Sequence, residues 1–188
     1  MKKLSFISLI LFVFFASFKI APAQKTADEI DAIRSQVAAV DKNLGKYAKQ
    51  TKTVEGVSLE GAEAVFYSFG KVLKKIHADL AGETYRATAD LYYKDEKLIF
   101  VYYRRSRYDT QIGLEKPPKV VKIEERRLYF ANGELTKLVA GKTTVKPGSE
   151  QFNKSKTEIT ELSDKLRASL SEPNLYENKN LTLLLKQP

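Results

Sequence analysis

The sequence predicts an α+β protein in which an antiparallel β-meander of about six strands is flanked by N-terminal and C-terminal amphipathic helices. Two observations predict this fold class. Near both ends of the chain, apolar residues recur every three or four positions, which is the period of a helix that buries one face. Between these helices, short runs rich in Tyr, Phe, Val and Ile alternate with Gly or polar pairs, as in strands joined by tight turns.

The first residues have the layout of a secretory signal peptide. Lys2 and Lys3 precede an apolar stretch over 4–18, and Ala21, Pro22 and Ala23 form an A-x-A site, so cleavage is expected after Ala23. The alternative is a transmembrane anchor, but the stretch is shorter than the roughly 20 residues that span a bilayer. We therefore expect an exported protein, periplasmic or extracellular, with no transmembrane segment in the mature chain.

The mature chain is expected to form a single α+β domain over 24–173, followed by a tail over 174–188. A domain of this length buries enough apolar surface to fold without disulfides, and the sequence contains no Cys. An exported domain without Cys fits a bacterial envelope better than a small disulfide-rich secreted protein. For the tail, a short edge strand and a disordered end are both open.

The first helix is predicted over 27–48. The second is predicted to begin at Ser155, with Ser149 as the alternative start, and to end before Pro173. Thr26 and Glu29 form a capping box for the first helix. Its narrow apolar stripe favours a helix that covers one face of a sheet, and a coiled-coil partner is the alternative. The stripe of the first helix consists of Ile30, Ile33, Val37, Val40, Leu44 and Tyr47, and that of the second of Ile159, Leu162, Leu166 and Leu170.

Strands are predicted over 62–68, 71–80, 84–94, 97–108, 119–131 and 134–140. The segment 51–58 is predicted to be an extended entry, 109–118 a loop that contains Pro117 and Pro118, and 142–148 a linker. A repeated pattern of apolar and aromatic residues, a short turn, a charged residue and an aliphatic residue begins at Val65, Leu91 and Leu128. Each copy predicts two strands and a turn, and consecutive hairpins make a meander.

The third copy, Leu128 to Thr136, contains Tyr129 and Phe130 before Asn132-Gly133, the turn pair best suited to positive φ. With the other two copies, it resembles the aromatic and Asn-Gly units of MORN-variant repeats. The order of signal peptide, helix, hairpin units and helix is similar to that of uncharacterised exported bacterial proteins. The resemblance covers about 65–140 and implies a non-catalytic binding or scaffold role.

In the central hairpin over 87–108, the turn sets which residues share a face. If Asp95 and Glu96 are the whole turn, Tyr93 pairs with Leu98 on the face expected to form the core. Continuing this register pairs Leu91 with Phe100 on the same face, and Arg86 with Arg105 on the opposite face. A longer loop with a shifted register would exchange the faces.

The opposite face supplies the candidate ligand-binding residues. Tyr and Arg commonly carry binding energy because both combine a large contact area with hydrogen bonds. In the alternative interpretation, the Tyr rings pack under a helix and the Arg side chains are solvated edge charges. The candidate residues are Arg86, Tyr92, Tyr103, Arg105 and Arg107.

The charge of the mature chain favours an anionic partner. Removing Lys2, Lys3 and Lys19 leaves 29 basic against 23 acidic residues, a net charge of +6, with most of the surplus in 97–130. This charge serves solubility in one interpretation. In the other, it binds an anionic glycan, a lipid headgroup or another envelope protein. We expect no nucleic-acid partner, because the chain is exported.

The sequence predicts no enzyme, no cofactor and no metal site. His77 is the single histidine, and without Cys it cannot complete the usual zinc or copper sites. No nucleophile elbow or phosphate loop is present. Glu124 and Glu125 are adjacent on one predicted strand, so they point to opposite faces. The functional expectation is a non-catalytic binding module, and the alternative is a structural or inhibitory protein that docks another envelope protein.

Overall fold

The computed structural model describes residues 22–114 and 117–171, with side chains from Ala27 onward. Residues 1–21 of the predicted signal peptide and the predicted tail over 174–188 lie outside the described residues. Within the described ranges the α+β prediction is confirmed, because one antiparallel sheet lies between an N-terminal and a C-terminal helix.

The sheet has eight strands in the order of the chain, each antiparallel to the next. The two strands beyond the predicted six, β1 and β8, lie in the segments predicted as an extended entry and a linker. Both are edge strands whose side chains are largely exposed, so their sequences do not show the alternation of apolar and polar residues that marks a half-buried strand. The elements are α1 (Pro22–Lys42), a 3₁₀ turn (Leu44–Lys46), β1 (Ala48–Val54), β2 (Ala62–Phe69), β3 (Val72–Gly82), β4 (Tyr85–Lys94), β5 (Lys97–Tyr108), β6 (Val120–Ala131), β7 (Glu134–Ala140), β8 (Thr143–Val145) and α2 (Glu150–Ser171).

The main core lies between the sheet and α2, on what we call the α2 face. The apolar stripe of α2, with Ile159 and Leu166 at its centre, is buried against Phe66, Leu91 and Leu128. Such side chains each contribute about 1.5–3 kcal/mol when fully buried. At the C-terminus of α2, Lys52 Nζ donates to the carbonyl oxygens of Ser169 and Leu170, at 2.6 and 2.9 Å. These bonds satisfy carbonyls that have no partner within the helix.

The opposite sheet surface, which we call the α1 face, is covered by α1 over part of its area. Ile30 and Ile33 of α1 are buried with Tyr129, and Phe100 packs beside them. The Phe100 ring lies 5.0 Å from that of Tyr129 and 5.8 Å from that of Tyr92, measured between centroids. A row of aromatic rings across three strands therefore forms the platform on which α1 lies.

The three repeated hairpins share one backbone device. Each turn has two residues, Gly70-Lys71, Asp95-Glu96 or Asn132-Gly133, and each second strand carries one extra residue shortly after the turn. This extra residue is a β-bulge, which shifts the register and increases the local twist. The internal repeat is thus real, but its first copy begins at Phe66 and not at Val65, because its turn is Gly70-Lys71.

The bulge at Ile99 overturns part of the predicted register in the central hairpin. Asp95 and Glu96 do form the whole turn, and Tyr93 faces Leu98 as predicted. Beyond this pair the register shifts, so that Leu91 faces Val101 and not Phe100. Since alternate residues point to opposite faces, one extra residue exchanges the faces of β5 for the rest of its length.

Candidate functional site

The five candidate residues do not share one surface. Arg86 and Tyr92 of β4 lie on the α1 face, whereas Tyr103, Arg105 and Arg107 of β5 lie on the α2 face. Arg86 is opposite Ser106, and Arg105 is opposite Ala87. The predicted common face is therefore wrong, and its physical cause is the bulge at Ile99. A two-residue turn without a bulge was the wrong geometry for this hairpin.

The two candidate tyrosines are packed into the fold. Tyr92 is 4% exposed, and its hydroxyl lies 3.0 Å from both carboxylate oxygens of Asp41 on α1. Tyr103 is 8% exposed, and the guanidinium carbon of Arg126 lies 4.5 Å from the centre of its ring. Burial raises the pKa of Tyr92 to about 12 and also raises that of Tyr103. For these two residues, the alternative of rings packed under a helix is confirmed.

Most arginines of the central strands have carboxylate partners. Arg105 Nε lies 2.8 Å from Glu124, and Arg126 Nη1 lies 2.7 Å from Glu158 on α2. Hydrogen bonds from Lys122 and Arg105 lower the pKa of Glu124 to about 2, against the opposing effect of burial. Five of the six arginines on β4, β5 and β6 are thus close to carboxylates, and Arg107 is the one without an ion pair in the described structure.

A groove of about 530 Å³ lies on the part of the α1 face that α1 leaves uncovered. Arg86 lines this groove and lies 3.3 Å from Glu60. Glu63, Asp79 and Arg104 add charges of both signs. The groove therefore offers hydrogen-bonding groups without a net preference for an anion.

His77 belongs to a polar network beside α1. Its Nδ1 lies 2.9 Å from Asp90, and its Nε2 lies 3.5 Å from Asp79. Lys75 Nζ lies 3.1 Å from Asp90, 3.2 Å from Asp41 and 2.8 Å from the hydroxyl of Tyr92. The hydrogen bond to Asp90 raises the pKa of His77, which favours its charged form. The network holds the end of α1 against the sheet through Asp41, which contacts both Lys75 and the Tyr92 hydroxyl.

A different surface carries unpaired positive charge. Because consecutive strands run in opposite directions, the turns after β2, β4 and β6 lie at one end of the sheet, which we call the hairpin end. The 3₁₀ turn before β1 lies there too, since the ring of Tyr47 contacts that of Phe69 edge-on, with centroids 6.3 Å apart. Besides the paired Lys75 and Lys156, eight lysines lie at this end, namely Lys42, Lys46, Lys49, Lys71, Lys74, Lys94, Lys97 and Lys137.

Within the described part of the chain, none of these eight lysines forms an ion pair. Five carboxylates lie at the same end, namely Asp41, Asp95, Glu96, Glu134 and Asp164, of which Asp41 is paired with Lys75 and Glu134 with Lys156 of α2. Lys94 and Lys97 are directly opposite each other across a turn. Like charges in that arrangement repel, so a bound anion would relieve the repulsion.

Exposed apolar side chains lie at the same end. Phe69 is 63% exposed and Val72 is 38% exposed, and the two flank the Gly70-Lys71 turn. A single exposed apolar residue is ordinary on a protein surface. Here a large aromatic ring and an aliphatic residue stand at a strand tip beside lysines, so the hairpin end offers apolar and cationic groups together.

Counting charge by segments of the chain hides this surface. Residues 24–96 hold 11 basic and 12 acidic residues and so look neutral. The meander separates these charges, since Lys71, Lys74 and Lys94 lie beside turns at one end while Glu60 and Glu83 lie at the other. The positions of lysines relative to the predicted turns were the signal that could have revealed it.

Comparison with protein-family models, with curated proteins and with solved structures found no match to this chain. Among the described residues, no cluster of three or more His, Asp or Glu side chains is placed to hold a metal ion. No helix within the described ranges has the length and apolar character needed to cross a bilayer. The function proposed below therefore rests on the residues of this chain alone.

Proposed function

We propose that this protein is an exported, non-catalytic binding module of the bacterial periplasm or cell surface, which attaches to an anionic partner through its hairpin end. The observation that carries the proposal is the group of eight lysines without ion pairs in the described structure, which outnumber the carboxylates Asp41, Asp95, Glu96, Glu134 and Asp164 at the same end. Export itself follows from the apolar N-terminal sequence and its A-x-A site.

The lysines suit a partner that presents many negative charges. Lys46, Lys49, Lys71, Lys94 and Lys97 are all exposed. A lysine near an anionic surface contributes on the order of 1 kcal/mol, so several acting together give useful affinity without a closed pocket. Such contacts between exposed charges weaken as salt is added.

The other surfaces support this function less well. The arginines of β5 and β6 lie close to glutamates, so an anionic ligand would have to displace those partners. The uncovered groove carries both signs of charge. The His77 network consists of groups that already satisfy one another, which favours a structural role over catalysis.

The test compares two triple variants of the predicted mature chain on a dextran sulfate column eluted with salt. The first variant carries Lys71→Glu, Lys94→Glu and Lys97→Glu at the hairpin end. The control carries Arg107→Glu, Lys119→Glu and Lys142→Glu, which are exposed, unpaired in the described structure, and away from that end. Both variants lower the net charge by the same amount, so only the position of the charge differs.

We expect wild type and the control variant to be retained and the hairpin-end variant to elute at much lower salt. At about 1 kcal/mol for each lysine removed, the loss of affinity is on the order of 100-fold, and charge reversal increases it. Similar retention of both variants would overturn the proposal. Circular dichroism of the variants shows whether each remains folded.

A further inference from the structure

We propose that the anionic partner is a lipid bilayer with anionic headgroups, and that the tip formed by Phe69, Gly70, Lys71 and Val72 enters its interface. This inference rests on the proposed function, because it assigns a partner to the same hairpin end. It is carried by a feature that electrostatics does not explain, namely the exposure of Phe69 and Val72 among the lysines.

A soluble polyanion would leave this apolar tip in water. Removing apolar surface from water stabilises a complex by about 25 cal/mol per Å², and a Phe ring is among the largest surfaces available. A bilayer offers both environments at once, with anionic headgroups outside and hydrocarbon beneath. Amphipathic helices that combine Lys with Phe or Leu bind at this boundary, and the hairpin end presents the same two kinds of group.

The arrangement of the lysines matches such a boundary. Lys71 is at the tip itself, and Lys49 at the start of β1 lies 5.6 Å from the centre of the Tyr67 ring on the adjacent strand. Lys94 and Lys97 flank the next hairpin turn along the sheet order at this end. Long lysine side chains can keep their charge among headgroups while an adjacent ring lies deeper.

The opposite end of the sheet provides a natural comparison. Leu59 is 82% exposed in the connection between β1 and β2, so it is even more accessible than Phe69. Its neighbour in the chain is Glu60, which pairs with Arg86, and Lys165 of α2 donates to the Gly56 carbonyl in the same connection. If apolar exposure alone drove insertion, Leu59 would insert as readily as Phe69.

The chain contains no Trp, so a single introduced Trp reports on its own surroundings. We would make Phe69→Trp and Leu59→Trp in the chain from Gln24, which keeps every helix–sheet contact described above. Each is mixed with vesicles of equal parts phosphatidylglycerol and phosphatidylcholine, and with vesicles of phosphatidylcholine alone. We expect the emission of the Phe69→Trp variant to move to shorter wavelength with the anionic vesicles only. The emission of the Leu59→Trp variant should stay unchanged with both kinds of vesicle.

A second variant separates the apolar contribution from the charge. Phe69→Ser should lower the affinity for anionic vesicles about tenfold, because the exposed ring no longer leaves water. Its retention on dextran sulfate should equal that of wild type, since the lysines remain. Loss of retention with the hairpin-end lysine variant and no effect of Phe69→Ser on vesicle binding would refute the bilayer inference while leaving the proposed function intact.

Other outcomes are equally decisive. An unchanged emission of the Phe69→Trp variant in the presence of anionic vesicles that sediment the protein would also refute insertion of the tip. An equal wavelength shift in the Leu59→Trp variant would indicate non-specific adsorption and count against the inference. If wild type binds neither dextran sulfate nor anionic vesicles, the proposed function fails first, and the inference falls with it.

Discussion

Replacing Lys75 by Met tests whether the polar network holds α1 on the sheet. Lys75 is only 8% exposed, and its ammonium group lies within 3.2 Å of Asp41, Asp90 and the Tyr92 hydroxyl. Removing one partner of a buried ion pair costs about 3–5 kcal/mol, because the remaining charge is left without compensation. Here the side chains of Asp41 and Asp90 keep 44% and 24% of their exposure, so water partly replaces the lysine. We therefore expect Lys75→Met to lower the free energy of unfolding by about 2 kcal/mol.

The assay is urea unfolding followed by circular dichroism, with Lys74→Met as the control. Lys74 is the adjacent residue and has no ion pair in the described structure, so Lys74→Met should lower the free energy of unfolding by less than about 0.5 kcal/mol.

The Lys75→Met variant has a predicted pH dependence. Burial raises the pKa of Asp90, but the hydrogen bond from His77 and the charge of Lys75 outweigh it, so the pKa is lowered. The stability that Asp90 contributes is thus present above its unfolded pKa of about 3.9 and lost as the pH falls. The gap between wild type and Lys75→Met should narrow from pH 7 towards pH 3. Equal stability of Lys75→Met and Lys74→Met at pH 7 would refute the reasoning.

Two further predictions concern the turn and the histidine. Glu96 has φ of 62°, a left-handed conformation that costs a residue with a Cβ about 1–2 kcal/mol, so Glu96→Gly should stabilise the protein by about 0.5–1 kcal/mol after the entropy cost of Gly. The matched variant Gly133→Ala, at the equivalent turn position, should lower the free energy of unfolding in the same urea assay. A less stable Glu96→Gly together with a more stable Gly133→Ala would contradict the turn geometry. For His77, the hydrogen bond to Asp90 raises the pKa, so its contribution is fully present below the unfolded pKa of about 6.5 and is lost as the pH rises through the folded pKa. His77→Gln should therefore cost more stability at pH 5 than at pH 8.5, and an equal loss at the two pH values would show that the ion pair with Asp90 contributes nothing.

The fold was predictable from sequence where packing follows a simple period. The stripe of α2 and the alternation in β4 place Ile159, Leu166 and Leu91 in the core, as the structure confirms. The edge strands β1 and β8 were not predicted, because exposed edges need no apolar alternation and their pairing is decided by the neighbouring strand. The predicted end of the first helix at residue 48 was also wrong. The structure ends α1 at Lys42, although the apolar stripe in the sequence continues to Tyr47.

The candidate site shows why faces are harder to predict than strands. Strand limits for β4 and β5 were nearly right, yet one unpaired residue at Ile99 moved Tyr103 and Arg105 to the face opposite Tyr92. No local propensity marks Ile99 as a bulge, because its side chain suits a regular strand equally well. The hairpin end could have been predicted from the six-strand meander, because alternate turns of a meander lie at the same end of the sheet.

Retention on dextran sulfate of the two triple variants, measured side by side, tests the central claim most directly. If the lysines at the hairpin end attach the protein to an anionic partner, the variant with Lys71, Lys94 and Lys97 changed to Glu elutes at low salt. The variant with the same charge change at Arg107, Lys119 and Lys142 then elutes close to wild type. Elution of the two variants at the same salt concentration would show that net charge alone governs binding, and it would contradict the assignment of the hairpin end as the binding surface.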